Sequence, residues 1–288
     1  MYFSLNTLFI ALVKKIRVIV MFLLFCLLII LFLVCALDSA ENMKSPRRRA
    51  LKNGLPAPGD LYRDLDVYII NLSETYEGRR RWRVIQNMPH RLFQNPRRFP
   101  AYYGKTYNYR DEIEKGIITD SWNIGKWKGG ADKWIMMDRG EIGVSLSHYF
   151  LWKKIASSQR HCIVLEDDAI DLHSHFDERL ESFISVVPYD WDIFLLGFWL
   201  HRGDDGLRVN DDIVRVKNFV LMHAYILHPR GARKLMALAP IDMPIDSWIS
   251  KHSNTLKIYR HTMKNQHDHS TLIKQKRRFK QIANTNNW

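Results

Sequence analysis

Cys162-Ile163-Val164-Leu165-Glu166-Asp167-Asp168-Ala169 sets three consecutive carboxylates at the end of a short apolar run. The run is uncharged and rich in aliphatic residues, which predicts a buried central strand. Three adjacent carboxylates repel one another and resist desolvation, so they require solvent, basic partners or a cation. In an open α/β sheet, ligands bind beyond the carboxyl ends of the strands, where Glu166, Asp167 and Asp168 would stand. On chemistry alone, a metal site and a solvated acidic turn ahead of a helix are equally open.

Other residues carry chemical potential with less context. Pro240 to Trp248 holds turn signals around Asp242 and Asp246, and Gln266-His267-Asp268-His269 contains a His-x-His pair. That pair has the residue types of a metal site, although at this spacing a solvated loop is the commoner outcome. Arg79, Arg80, Arg81 and Arg83 crowd the first half of a helix expected over residues 77–88. Cations there oppose the helix dipole, so they call for a nearby anion or a fully solvated face. Ser147 and His148 fall near the start of a second helix, expected over 140–158, facing either a core neighbour or a ligand. Cys162 is the sole cysteine after residue 35, which excludes an intrachain disulfide there and reads as a small buried hydrophobe. The sequon Asn71-Leu72-Ser73 ends a buried strand and is expected to stay unmodified. No zinc pattern, Walker loop or nucleophile elbow occurs.

The elements that must position these residues alternate. Strands are expected at 66–72, 162–165, 191–197, 213–216 and 220–227, and further helices at 176–187 and 230–238. Residues 99–137 read as irregular and suited to a substrate-covering loop. Alternation of this kind predicts an α/β fold. Ahead of it, Val18 to Leu37 has no charge, proline or glycine over 20 residues. That is long enough for the roughly 30 Å hydrocarbon core and longer than the apolar core of a cleaved signal peptide. The expected organisation is therefore a short tail at 1–17, a transmembrane anchor at 18–37, a breaker-rich stem at 38–60, and a catalytic-size domain at 61–288 with a basic C-terminal tail. Basic residues flank the anchor on both sides, so charge leaves its orientation open. The chain carries +13 overall; eight of 43 Lys/Arg and three of 30 Asp/Glu precede residue 61, leaving +8 for the rest. A basic domain suits an anionic partner.

Six segments together resemble glycosyltransferase family 25, which includes lipopolysaccharide sugar transferases and collagen galactosyltransferases. They are Val67-Tyr68-Ile69-Ile70-Asn71-Leu72 with arginines after it; Arg139-Gly140-Glu141-Ile142-Gly143 with Leu146-Ser147-His148; and Val164-Leu165-Glu166-Asp167-Asp168-Ala169. Trp191 to Gly197, Ala224-Tyr225-Ile226-Leu227 ahead of Gly231-Ala232, and Pro244-Ile245-Asp246 complete the set. The likeness runs from about Asp66 to about His269. It departs from the family at Val144, where a cysteine or alanine is usual, and in having one transferase domain.

The resemblance implies a GT-A-type, Rossmann-like domain that uses a UDP-sugar and Mn²⁺ or Mg²⁺. Glu166 and Asp168 would be the outer carboxylates of a DxD-like motif, with His267 or His269 as a further ligand. Asn71 and one of Arg79 to Arg81 would contact the nucleotide; Arg79 and Arg80 are the expected contacts, with Ser147, His148 and Asp167 on the same side. Asp246, then Glu141, would be the base of an inverting transfer of galactose or glucose to a hydroxyl of a glycan, lipid-linked or protein acceptor. The implied location is a single-pass membrane protein, with a lumenal domain in the Golgi or ER of a eukaryote or on the cytoplasmic face of a bacterium. No nucleic-acid partner is expected. The alternative is a catalytically degenerate transferase fold that serves as a membrane-anchored binding module.

Overall fold

A computed structural model of the chain describes residues 65–119, 139–200, 206–262 and 272–275. The expected anchor at 18–37, the stem at 38–60, and His267 and His269 lie outside the described residues. Among the described residues, no helix is long and apolar enough to cross a membrane.

The fold is a mixed α/β arrangement. In chain order its elements begin with β1 (Asp66–Asn71), α1 (Tyr76–Gln86), β2 (Arg97–Pro100), α2 (Arg110–Glu114) and α3 (Arg139–Ala156). Then come β3 (Cys162–Glu166), β4 (Ala169–Leu172), α4 (Phe176–Val186), β5 (Ile193–Leu200), β6 (Leu207–Arg208), β7 (Ile213–Arg215) and β8 (Phe219–Leu227). α5 (Pro229–Ala237), α6 (Ile245–Lys251), β9 (Ile258–His261) and β10 (Ile273–Gln275) complete the order. The eight-stranded sheet runs β2-β1-β3-β8-β5-β9-β7-β6, and β4 pairs with β10 separately.

The central strands are buried on both faces, which is why they read as unbroken apolar runs rather than alternating ones. Val67, Ile69, Ile163 and Leu165 join Phe183 and Phe194 in one core. Tyr68, Ile70, Cys162 and Val164 join Trp152, Tyr225 and Trp248 in the other. Cys162 is buried, and burial pushes its thiol up to about 12, as suits a packing residue rather than a nucleophile.

The structure adds two elements to the sequence reading. The stretch after Pro240 is more than a turn: Pro244 caps α6, and Asp246 lies in its first turn. The segment after Lys257 is not simply a basic tail, because β9 enters the main sheet parallel to β5, with Ile193 opposite Ile258. Asp192 is the polar pivot of that region, fully buried at the entry to β5. It accepts from Lys234 Nζ at 2.6 Å, from the Lys257 backbone N–H at 2.9 Å and from Arg230 Nε at 3.3 Å.

Candidate functional site

β1 and β3 are parallel, with Ile70 opposite Glu166, so Asn71 and the three carboxylates share one edge of the sheet. β8 runs antiparallel to β3, with Ala224 opposite Leu165, which brings the Leu221-Met222 end of β8 to the same edge. α1 is drawn onto this edge through Gly78. A Cβ there would stand 1.8 Å from the Leu72 carbonyl oxygen, so a larger residue would push the helix away. The Thr75 hydroxyl caps the helix by accepting from Gly78 N–H at 3.0 Å.

The three carboxylates take different surroundings. Asp167 turns inward, accepting from Arg81 Nη1 at 2.6 Å and from Asn71 Nδ2 at 2.6 Å. Burial pushes its pKa up while Arg81 and Asn71 pull it down. Asp168 is less well matched: Arg81 Nη1 is 3.8 Å from Oδ2, and the buried Oδ1 has no hydrogen-bond partner. Burial first, and the neighbouring Glu166 charge second, raise its pKa to about 7. Glu166 is partly exposed and lies 3.5 Å from His148 Nε2.

Glu166 and Asp168 therefore offer hard oxygen donors, among them the unpartnered Asp168 Oδ1, which fits a divalent cation. Among the described residues, no group of three or more His, Cys, Asp or Glu is arranged to hold a metal by itself. A two-carboxylate set suits a Mg²⁺-like ion that completes its shell with water and substrate phosphates.

A cleft of about 350 Å³ opens over this edge, lined by Arg81, Lys105, Val144, His148 and all three carboxylates among others. Glu166 and Val144 also line a second hollow of about 140 Å³, together with Glu141, Leu221 and Asp246. The two spaces thus meet at Glu166. Asp246 is fixed by two backbone donors, Leu221 N–H at 2.6 Å and Ser247 N–H at 2.7 Å. Leu221 has φ 55°, a left-handed conformation that is costly for a bulky side chain and that the Asp246 contact helps to hold.

Residues 64–203 match the family model described as Glycosyltransferase family 25 (LPS biosynthesis protein). The matched residues run from β1 through β5, a little under half of the chain. Similar curated proteins include Procollagen galactosyltransferase 1-A of Xenopus laevis, 25% identical over 74% of this chain and 37% of that protein. A glycosyltransferase 25 family member of Aedes aegypti is 29% identical over 69% of this chain and 33% of that protein. Inactive glycosyltransferase 25 family member 3 of Mus musculus is 28% identical over 39% of this chain and 20% of that protein. The chain thus spans about a third of the length of the first two relatives.

Glu166, Asp167, Asp168 and His148, inside the matched residues, line the cleft; Glu141 lines the adjoining hollow with Asp246, which lies beyond the matched residues. Four of the expected nucleotide contacts have other partners. Arg79 donates to the carbonyls of Ser73 and Glu74, and Arg80 pairs with Glu77 at 2.7 Å. Arg81 is the arginine that reaches the acidic edge. Asn71 is buried, its amide nitrogen donating to Gly78 O and Asp167 while its oxygen accepts from Arg98. That burial also takes its sequon out of reach in the folded chain. Ser147 donates to Gly143 O at 2.6 Å and accepts from Tyr102 N–H at 2.9 Å, fastening the 101–104 loop to α3. Gly143 permits that approach, since a Cβ there would come within 2.5 Å of Tyr102 O.

Sequence reasoning did not single out Lys105, which lines the cleft, Leu221, which lines the hollow, or Arg98, which donates to Asn71. The choice of Arg81 had a signal: it lies three residues beyond Gly78, and such positions share a helix face.

Proposed function

We propose that the chain is a metal-dependent, inverting glycosyltransferase that moves a hexose from a UDP-sugar to an acceptor hydroxyl. The observation that carries this reading is the meeting of two spaces at Glu166. One holds paired carboxylates with an unpartnered buried oxygen beside Arg81 and Lys105; the other holds Glu141 and Asp246. With a divalent cation on its carboxylates the first space would suit a diphosphate in charge, and a polar acceptor fits the second.

In this reading Arg81 and Lys105 attract and orient the donor phosphates, and Glu166 and Asp168 hold Mn²⁺ or Mg²⁺. When bound, that cation neutralises charge on the departing UDP. Asp167 keeps Arg81 in place, and Asn71 and Arg98 support Asp167 from behind. Asp246 takes the acceptor proton. Its two backbone hydrogen bonds fix its direction without exhausting its lone pairs, since an ionised carboxylate offers about four acceptor sites. Glu141, in the first turn of α3, is the second choice.

Galactose is the first sugar to test, because three of the matched relatives are named procollagen galactosyltransferases. A protein or glycan hydroxyl is the proposed acceptor class, and anchorage through residues 18–37 is part of the same proposal. The match to a relative named inactive keeps a binding-module reading in view. One assay separates the two: UDP release from UDP-galactose by the full chain, with Mn²⁺ and with a chelator. Mn²⁺-dependent release supports the transferase, whereas UDP binding without turnover of any UDP-sugar supports the binding module.

A further inference from the structure

His148 is 1% exposed on α3, yet one ring nitrogen remains without a hydrogen-bond partner. The other, Nδ1, lies 2.8 Å from the Tyr225 hydroxyl, and Trp152 Nε1 lies 2.9 Å from that same oxygen. The donor and acceptor inventory fixes the direction of this chain. An indole N–H can only donate, so Tyr225 accepts from Trp152. The Tyr225 side chain is fully buried, and its own proton requires an acceptor. Burial pushes its phenol pKa up, so that proton stays in place. Among the described contacts, His148 Nδ1 is the acceptor beside it. A neutral ring that accepts at Nδ1 carries its own proton on Nε2, the nitrogen 3.5 Å from Glu166 Oε1.

The surroundings hold this arrangement firmly. The His148 and Tyr225 rings stack with centroids 5.7 Å apart. Trp152 stacks on Trp248 of α6 at 6.2 Å, two residues beyond Asp246.

We propose that Trp152, Tyr225 and His148 form a buried positioning chain that presents the His148 Nε2–H to Glu166 and so sets that carboxylate's direction toward the cation. The proposal rests on the reading of Glu166 and Asp168 as cation ligands. His148 is then a positioning residue rather than the donor contact expected from the sequence. The gap to Glu166 is roughly 0.5 Å longer than an ordinary N–H···O bond and closes with a small side-chain rotation. Outer partners of this kind are typically worth about 10–100-fold in metal affinity.

The test is titration of the full chain with Mn²⁺ alone, following free Mn²⁺ by electron paramagnetic resonance. His148→Ala should weaken binding about tenfold. His148→Gln, whose amide N–H can stand near the place of Nε2–H, should recover most of that loss. Tyr225→Phe should weaken binding in the wild-type background, where it frees the ring to change tautomer, and cost nothing further in the His148→Gln background. Thermal melts should fall by similar amounts for His148→Ala and His148→Gln, so recovered affinity would not reflect recovered packing. Asp168→Asn separates the two levels of the account. If it leaves Mn²⁺ affinity unchanged, the cation reading fails and the positioning chain with it. If Asp168→Asn abolishes binding while His148→Ala binds as wild type, or His148→Gln is as weak as His148→Ala, the positioning chain alone is overturned.

Discussion

Arg81→Met removes the cation that joins α1 to the acidic strand end while keeping most of the side-chain volume. Arg81 Nη1 lies 2.6 Å from Asp167 Oδ1, with the two side chains 29% and 12% exposed. Fully exposed pairs contribute about 0–1 kcal/mol, and stripping one partner from a buried pair costs about 3–5 kcal/mol. This pair sits between those limits, so the expected loss of folding stability is about 2 kcal/mol. Asp167 would keep Asn71 as a partner, which holds the cost below the buried limit. Loss of a charged donor to the phosphates should weaken UDP binding by about 1.5–3 kcal/mol, roughly ten- to a hundredfold. Arg79→Met is the control, because that guanidinium bonds only exposed backbone carbonyls among its described contacts. It should shift stability by no more than about 0.5 kcal/mol. Urea denaturation and calorimetric UDP titration measure both quantities. If Arg81→Met and Arg79→Met behave alike in both, the assignment of Arg81 to the site is wrong.

Three further outcomes follow from particular contacts. Gly78→Ala should destabilise by more than about 2 kcal/mol or prevent folding, because its Cβ would meet the Leu72 carbonyl at 1.8 Å; a denaturation midpoint equal to wild type would contradict this. Asp246→Asn should lower kcat with UDP affinity preserved, whereas Asp246→Ala should also lose about 1–3 kcal/mol of stability by orphaning the Leu221 and Ser247 amides; normal kcat in Asp246→Asn with a depressed kcat in Glu141→Gln would move the base to Glu141. His161 and His228 are pushed down from 6.5 to about 3 and about 4, chiefly by burial. The unfolded chain therefore takes up protons that the folded chain refuses below about pH 6.5. Their contribution is fully present above that pH and is lost as the pH falls toward 4 and then 3. Urea midpoints at pH 7.5 and 5 should converge more closely in His161→Gln than in wild type, and an unchanged difference would refute this.

Much of the scaffold was legible because its signals are local. β1, β3 and β8 are two-sided buried strands, so hydrophobic runs marked them directly, and α3 declared itself by its helical period. β9 was hidden because Ile258 to His261 sits at the start of a strongly basic window, and a four-residue strand is too short to assert itself there. α6 was hidden because Pro244 and Asp246 are turn residues that equally open a helix.

The candidate site divides along the same line. The carboxylates at the end of β3 could be read from sequence, since the strand end fixes their position. Which arginine faces them could not, because that depends on the phase of α1, set by the close approach of Gly78 to Leu72. Asn71 and Ser147 read as ligand contacts because the sequence does not reveal that their polar groups are satisfied within the protein. Tyr225 read as one more residue of an apolar strand, and its hydroxyl acquires meaning only beside His148 and Trp152.

Metal-dependent sugar transfer at the meeting of the two spaces is decided by UDP release from UDP-galactose by the purified full chain. Release is expected with Mn²⁺, none with a chelator, and none from an Asp168→Asn variant that keeps the wild-type melting behaviour. Release that persists undiminished in the chelator and in Asp168→Asn would contradict it.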